Sequence, residues 1–204
     1  PTNMDIDIFK PLIAKIEEMG NIKYGTDNAK DTLIKRIADH ARAVTFCIAD
    51  GVLPANTHRG YVLKRLLRRA VLDGRNLGIN EAFFYNMAEP VADVMGGQYP
   101  ELVARKDNIK DTILAEEEKF LSTLSRGLNI IDLAVKDAKD QNQQAIDGDT
   151  AFELYDTYGF PYELAEEVVA KEGLTLDREG FEEAMEKARE LARQGAKMKG
   201  DIFA

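Results

Sequence analysis

His58-Arg59-Gly60-Tyr61-Val62-Leu63-Lys64-Arg65-Leu66-Leu67-Arg68-Arg69-Ala70-Val71 has the pattern of one amphipathic helix. At the 100° per residue of an α-helix, Val62, Leu63, Leu66, Leu67, Ala70 and Val71 fill one broad apolar sector. Lys64, Arg65, Arg68 and Arg69 fill the opposite sector, with Tyr61 near its middle and Arg59 just before it. The apolar sector anchors the helix in a core, and the basic sector admits two readings. It is either a solvated outer face or a stripe that holds an anionic backbone. Two details favour the second. No Glu or Asp is interleaved, so the i,i+4 pairs of an ordinary exposed helix are missing. Arginine predominates, and its planar fork binds phosphate with two prongs. A third partner stays open, the carboxylates of Glu116, Glu117 and Glu118 in the same chain.

The helical period continues outward from this stretch. Ile6, Phe9, Ile13 and Ile16 predict a first helix over Asp5 to Met19, stopped by Gly20, with Pro11 moving its start toward Phe9. Ile34, Ile37, Ala38, Ala41, Val44, Thr45 and Ile48 mark the buried face of a second, Asp27 to Asp50, which Gly51 ends. Leu53 to Thr57 is a loop, and the basic helix then runs from His58 or Arg59 to Leu72, with Gly74 as its terminator. Glu81 to Met95 precedes a Gly96-Gly97 break, and Pro100 to Asp140 is the longest helix, weakest at Gly127. After the polar stretch Gln141 to Gly148, Asp149 caps a helix through Tyr158 that Gly159 closes. Pro161 opens a helix to Lys171, Asp177 caps a last one to Arg193, and the tail from Gln194 is expected to be loose. No segment alternates as a strand would. The expected fold is all-α, a helical domain of about seven to eight helices with one long helix near the middle. It is divided into a region 1–140 and a C-terminal subregion 141–204.

Composition sets bounds on function. With 204 residues, 45% hydrophobic and 31% charged, the chain can bury a core and stay in solution. No apolar run approaches the ~18 residues of a membrane span. The opening Pro-Thr-Asn-Met-Asp has neither the basic nor the apolar region of a secretory signal and no initiator Met, so a segment of a longer protein is expected. One cysteine, Cys47, excludes an intramolecular disulfide and fits a reducing cytoplasm; beside Val44, Phe46 and Ile48 it reads as a small core residue. The net charge of −9 argues against nucleic acid on average, but the charges are segregated. From Arg59 to Arg75, Arg59, Lys64, Arg65, Arg68, Arg69 and Arg75 stand against Asp73 alone, while the acidic excess lies mostly after Glu116.

The stretch His58 to Val71 resembles the Arg-Gly-Tyr-Val-Leu-Arg-Arg signature of the alanyl-tRNA synthetases. Ile37-Ala38-Asp39-His40-Ala41-Arg42 and Ile48-Ala49-Asp50-Gly51-Val52-Leu53-Pro54 resemble the segment preceding it in that family. Phe152-Glu153-Leu154-Tyr155-Asp156-Thr157-Tyr158-Gly159-Phe160-Pro161 resembles a second signature downstream, and Asn3 to Phe9 the stretch after the last class II catalytic motif. The likeness covers essentially the whole chain. It implies the helical middle domain, which in the family holds the tRNA acceptor stem. The ATP- and alanine-binding sheet domain would precede it and the zinc-containing editing domain would follow. This implies no catalytic residue, metal or cofactor in the segment, with ATP, magnesium and zinc used elsewhere in a parent ligase. Its partners would be the acceptor stem and those two domains, with no membrane.

The family reads a G·U wobble pair, which leaves the guanine 2-amino group without its usual partner in RNA's wide, shallow minor groove. An acceptor must meet that amino group. The family's Asn and Asp readers map onto Asn56 and Asp156, and Arg59, Tyr61, Lys64, Arg65, Arg68 and Arg69 would hold the backbone. By its residues alone, Asn56 is better read as shaping its Pro-Ala-Asn-Thr turn or helping to cap the next helix. Asp156 sits in a last helical turn, where the macrodipole disfavours it, and would want a nearby donor in either role. The chain departs from many relatives at His58, at Ala55 and in Val71-Leu72-Asp73-Gly74.

Other candidates are weaker. His40 and His58 have no cysteine or clustered carboxylate beside them, and His40 reads as a helix residue bonded to a neighbour. Glu116 to Glu118 reads as a solvated face. No glycine-rich phosphate loop, nucleophile elbow or Cys-x-x-Cys is present. A rival function is a protein-binding helical module using Phe83, Phe84 and Tyr85, although these aromatics suit a core better.

Overall fold

A computed structural model describes the backbone of residues 6–201 and the side chains of 6–191 and 193. The expected helix start at Asp5, and the resemblance at Asn3 to Asp5, lie outside these residues. The chain is all-α, with nine α-helices among the described residues. It forms two compact units, Pro1–Leu121 and Ser122–Ala204. The boundary between the two units falls inside the long helix.

The first unit begins with α1 (Lys10–Gly20), whose first turn holds Pro11, where a missing N–H leaves no bond unmade. Gly20 stays helical, and Asn21, with φ of 47°, ends the helix instead. In α2 (Asn28–Ala49) the Asp27 carboxylate accepts from the Ala29 and Lys30 amides. The expected face, Ile34, Ile37, Ala38, Ala41, Val44 and Ile48, is buried. It packs on α3 (His58–Asn76), which buries Leu63, Leu67, Ala70 and Val71. Arg36 of α2 donates to both Asp73 oxygens, at 2.6 and 2.5 Å, locking the two helices together.

Gly74 does not terminate α3. It lies within the helix, and a Cβ there would sit 2.1 Å from Phe83 Cε1. The glycine admits a ring, and the chain turns later, at Gly78 (φ 92°). A 3-10 turn (Phe84–Met87) leads into α4 (Ala88–Met95), where one helix from Glu81 was expected. The expected helix Pro100 to Asp140 is likewise broken into α5 (Pro100–Ala104) and α6 (Lys106–Asp140). At the break the Arg105 guanidinium donates to the Ala49 carbonyl at 2.6 Å, a cation on the C-terminal end of α2.

α6 serves two cores. Ile109, Ile113 and Phe120 are its buried positions in the first unit, and Leu124, Ile131, Val135 and Ala138 in the second. Gly127 is where Phe160 approaches α6; a Cβ would lie 2.9 Å from the ring. The second unit continues with α7 (Gly148–Asp156), α8 (Tyr162–Lys171) and α9 (Arg178–Asp201). Asp147 rather than Asp149 caps α7, accepting from the Thr150 amide at 2.8 Å. Asp177 accepts from the Gly180 amide at 3.0 Å, as expected of a cap, but α9 continues through the expected loose tail to Asp201. Strands β1 (Ala145–Ile146) and β2 (Thr175–Leu176) pair in parallel. They are too short for alternation to reveal.

Candidate nucleic-acid interface

The loop from Leu53 to Thr57 folds back over the first turn of α3. Gly60 makes this possible, because a Cβ there would lie 2.5 Å from the Leu53 carbonyl oxygen and 2.6 Å from the Ala55 Cβ. The Ala55 amide donates to the Gly60 carbonyl at 3.1 Å, closing the loop onto the helix. His58 starts α3 with φ of 53°, an uncommon conformation for a side chain of its size. The loop leaves Asn56, Thr57, His58 and Arg59 exposed. One turn beyond Gly60, Lys64 reaches back and donates from Nζ to Asn56 Oδ1 at 2.7 Å. Sequence reasoning placed these two residues in separate roles and missed their contact. The i,i+4 step from Gly60 to Lys64, with helical side chains leaning toward the N-terminus, was its only signal.

The basic face is narrower than the helical wheel implied. Arg59 is exposed, and Tyr61, Lys64, Arg65 and Arg69 are half-buried. Arg68 is 1% exposed. Its Nε donates to Glu116 Oε1 at 2.7 Å, Nη2 donates to the same oxygen, and its guanidinium lies 4.9 Å from the centre of the buried Phe120 ring. Burial draws its pKa below the ordinary guanidinium value, against the Glu116 carboxylate and its hydrogen bond. Arg68, counted with the backbone-binding residues in the sequence, here pins α3 to α6. Meanwhile Val62, placed in the apolar sector, is 46% exposed. The buried arc is rotated toward Arg68 because α6 covers that edge of α3 with Glu116 and Phe120.

Glu116 and Glu117 are not a solvated face either. Glu117 is fully buried, and its carboxylate accepts from the amides of Phe83, Phe84 and Tyr85 at 2.8, 2.9 and 3.1 Å. Burial raises its pKa, and those amides oppose the rise. Phe83 and Phe84 are core side chains, so they present no surface to a protein partner. Cys47 is half-buried, and its thiol pKa is raised by burial. His40, expected to bond a neighbour, has no hydrogen bond at either ring nitrogen; Asp39 Oδ2 stands 3.9 Å from Nδ1. Burial holds its pKa down at about 4, helped by Arg69 and Arg36 and opposed by Asp39. Among the described residues no three His, Cys, Asp or Glu side chains are arranged to hold a metal ion. No described helix is long and apolar enough to cross a membrane.

Asp156 belongs to the second unit, where most of the Phe152 to Pro161 stretch is scaffolding. Leu154 and Phe160 are buried, and the Phe160 amide donates to the Leu154 carbonyl at 2.8 Å. Tyr155 meets Phe181 edge to face at 5.7 Å, Thr123 Oγ1 donates to the Tyr158 carbonyl at 2.8 Å, and Gly159 turns with φ of 62°. Asp156 is the last residue of α7 and is exposed. Among the described residues its carboxylate has no hydrogen-bond or ion-pair partner, so the donor a structural Asp would want at a helix C-terminus is missing.

The family described as tRNA synthetases class II (A) matches residues 1–203. The chain belongs to this synthetase family. Similar proteins include the alanine–tRNA ligases of Enterococcus faecalis and Geobacillus kaustophilus, each 49% identical over 95% of this chain. That of Bacillus subtilis is 46% identical over 99% of it. This synthetase chain spans only 22 to 23% of the length of those relatives. Both candidate base-reading positions thus lie in a class II synthetase segment. One, at Asn56 and the basic helix, is in the first unit; the other, at Asp156, is in the second.

Proposed function

We propose that this chain is the tRNA-recognition domain of an alanine–tRNA ligase, binding the acceptor stem of tRNA(Ala) and reading its G·U pair from the minor groove. The observation that carries this reading is the exposed Asn56 amide, held at the N-terminal end of a helix whose outer face is basic. Arg59, Tyr61, Lys64, Arg65 and Arg69 grip phosphates and ribose, which sets register without reading sequence. Asn56 and the exposed carboxylate of Asp156 meet base edges. An acceptor facing the unpaired guanine amino group is worth about 1–3 kcal/mol of discrimination, by analogy with single base contacts in DNA. The parent protein, acting in the cytoplasm, would attach alanine to tRNA using ATP and magnesium. That chemistry, and the zinc of an editing domain, would lie outside this chain, which is expected to be inactive alone.

Binding of an alanine acceptor minihelix to this chain tests the reading. Wild type should prefer the G·U minihelix over its G·C counterpart. Asn56→Ala and Asp156→Ala should each reduce that preference by roughly fivefold or more while keeping most backbone affinity. Equal binding of both minihelices by wild type removes base reading and leaves only the backbone grip.

A further inference from the structure

We propose that Lys64 is a positioning residue for base reading, holding the Asn56 amide in one orientation, and is not simply another grip on phosphate. The proposal rests on the base-reading role given to Asn56 above.

Asn56 is exposed in a turn, where an unrestrained side-chain amide has rotamers to lose on binding. Its amide oxygen is met by Lys64 Nζ at 2.7 Å. An ammonium group only donates, so the atom facing it must be the oxygen; a flipped amide would bring two donors together. Lys64 thereby selects one of two amide orientations and leaves the two N–H donors and the remaining oxygen lone pair directed elsewhere. The geometry follows from the backbone. Gly60 brings the loop onto α3, and Lys64 is the residue one turn on whose side chain leans back over that glycine. Lys64 is itself half-buried, so part of its own freedom is lost before RNA arrives. A reader ordered in advance loses less entropy when it binds, and that gain reaches only the contact Asn56 makes. A phosphate grip would instead strengthen every RNA equally.

The experiment compares binding of G·U and G·C acceptor minihelices to this chain carrying Lys64→Met, Lys64→Arg, Asn56→Ala or Lys64→Met with Asn56→Ala. Methionine keeps an unbranched stem but cannot donate. Lys64→Met should lower the G·U preference by roughly fivefold or more, toward that of Asn56→Ala. Lys64→Arg, which still donates, should restore most of it. Adding Lys64→Met to Asn56→Ala should leave the preference where Asn56→Ala put it, because the two residues act through one contact. If Lys64→Met leaves the wild-type preference intact, with or without an equal weakening of both minihelices, Lys64 does not position Asn56 and the proposal is overturned while base reading stands. A wild-type chain with no preference overturns both.

Discussion

Arg59 and Arg68 carry the same guanidinium into opposite environments, and their substitutions should separate accordingly. Arg68 is buried against Glu116 and Phe120, so Arg68→Ala leaves a carboxylate uncompensated in a largely dry site. The expected cost is about 3–5 kcal/mol, read from urea unfolding. Arg59 is exposed, and Arg59→Ala should stay within about 0.5 kcal/mol of wild type in the same assay. It should nevertheless weaken G·U and G·C minihelices equally. His40 supplies a pH dependence. Its folded pKa, about 4, lies below the ordinary value of 6.5, so the unfolded chain binds more protons between them. Its contribution is complete above pH 6.5 and is lost as the pH falls toward 4. His40→Gln should therefore show a shallower fall in melting temperature than wild type across that window; parallel profiles would contradict a buried neutral histidine.

At the scale of elements, the loop on α3 depends on one missing methyl group. Gly60→Ala would place a carbon 2.5 Å from the Leu53 carbonyl oxygen, against backbone that has little room to give. The expected loss is about 1–3 kcal/mol of stability, with the loop displaced. Minihelix preference should fall with it while salt-dependent affinity largely remains. Element limits that arise locally were legible in the sequence: Asp27 at the start of α2, Asp177 as a cap, Pro11 near a helix start, Pro161 at another. Gly74 was not, because a glycine after a helical run looks the same whether it stops a helix or admits a ring. Only Phe83, brought from a later segment, distinguishes the two. The break at Arg105 was hidden for the same reason, since its guanidinium answers a carbonyl at the end of α2.

For the whole molecule, a net charge of −9 does not oppose the proposed RNA partner, because the charges are segregated along the chain. A chain of charge −9 that binds RNA must do so through local positive potential. With a handful of phosphate contacts, affinity should fall by roughly tenfold to a few hundredfold when salt is raised about fourfold. Minihelix titration at two salt concentrations measures this, and an affinity indifferent to salt would argue against the basic face. The all-α class, most of the helices, the basic stripe and the family likeness are legible along the chain, since periodicity, capping and contiguous motifs are local. Tertiary structure alone decided which members of the stripe face outward. It buried Arg68 on Glu116 and Phe120, far along the chain, left Val62 exposed, and folded the loop over Gly60 so that Lys64 meets Asn56. The physical reason is that a helix records its own amphipathicity, but which edge of that face is covered depends on the neighbour packed against it.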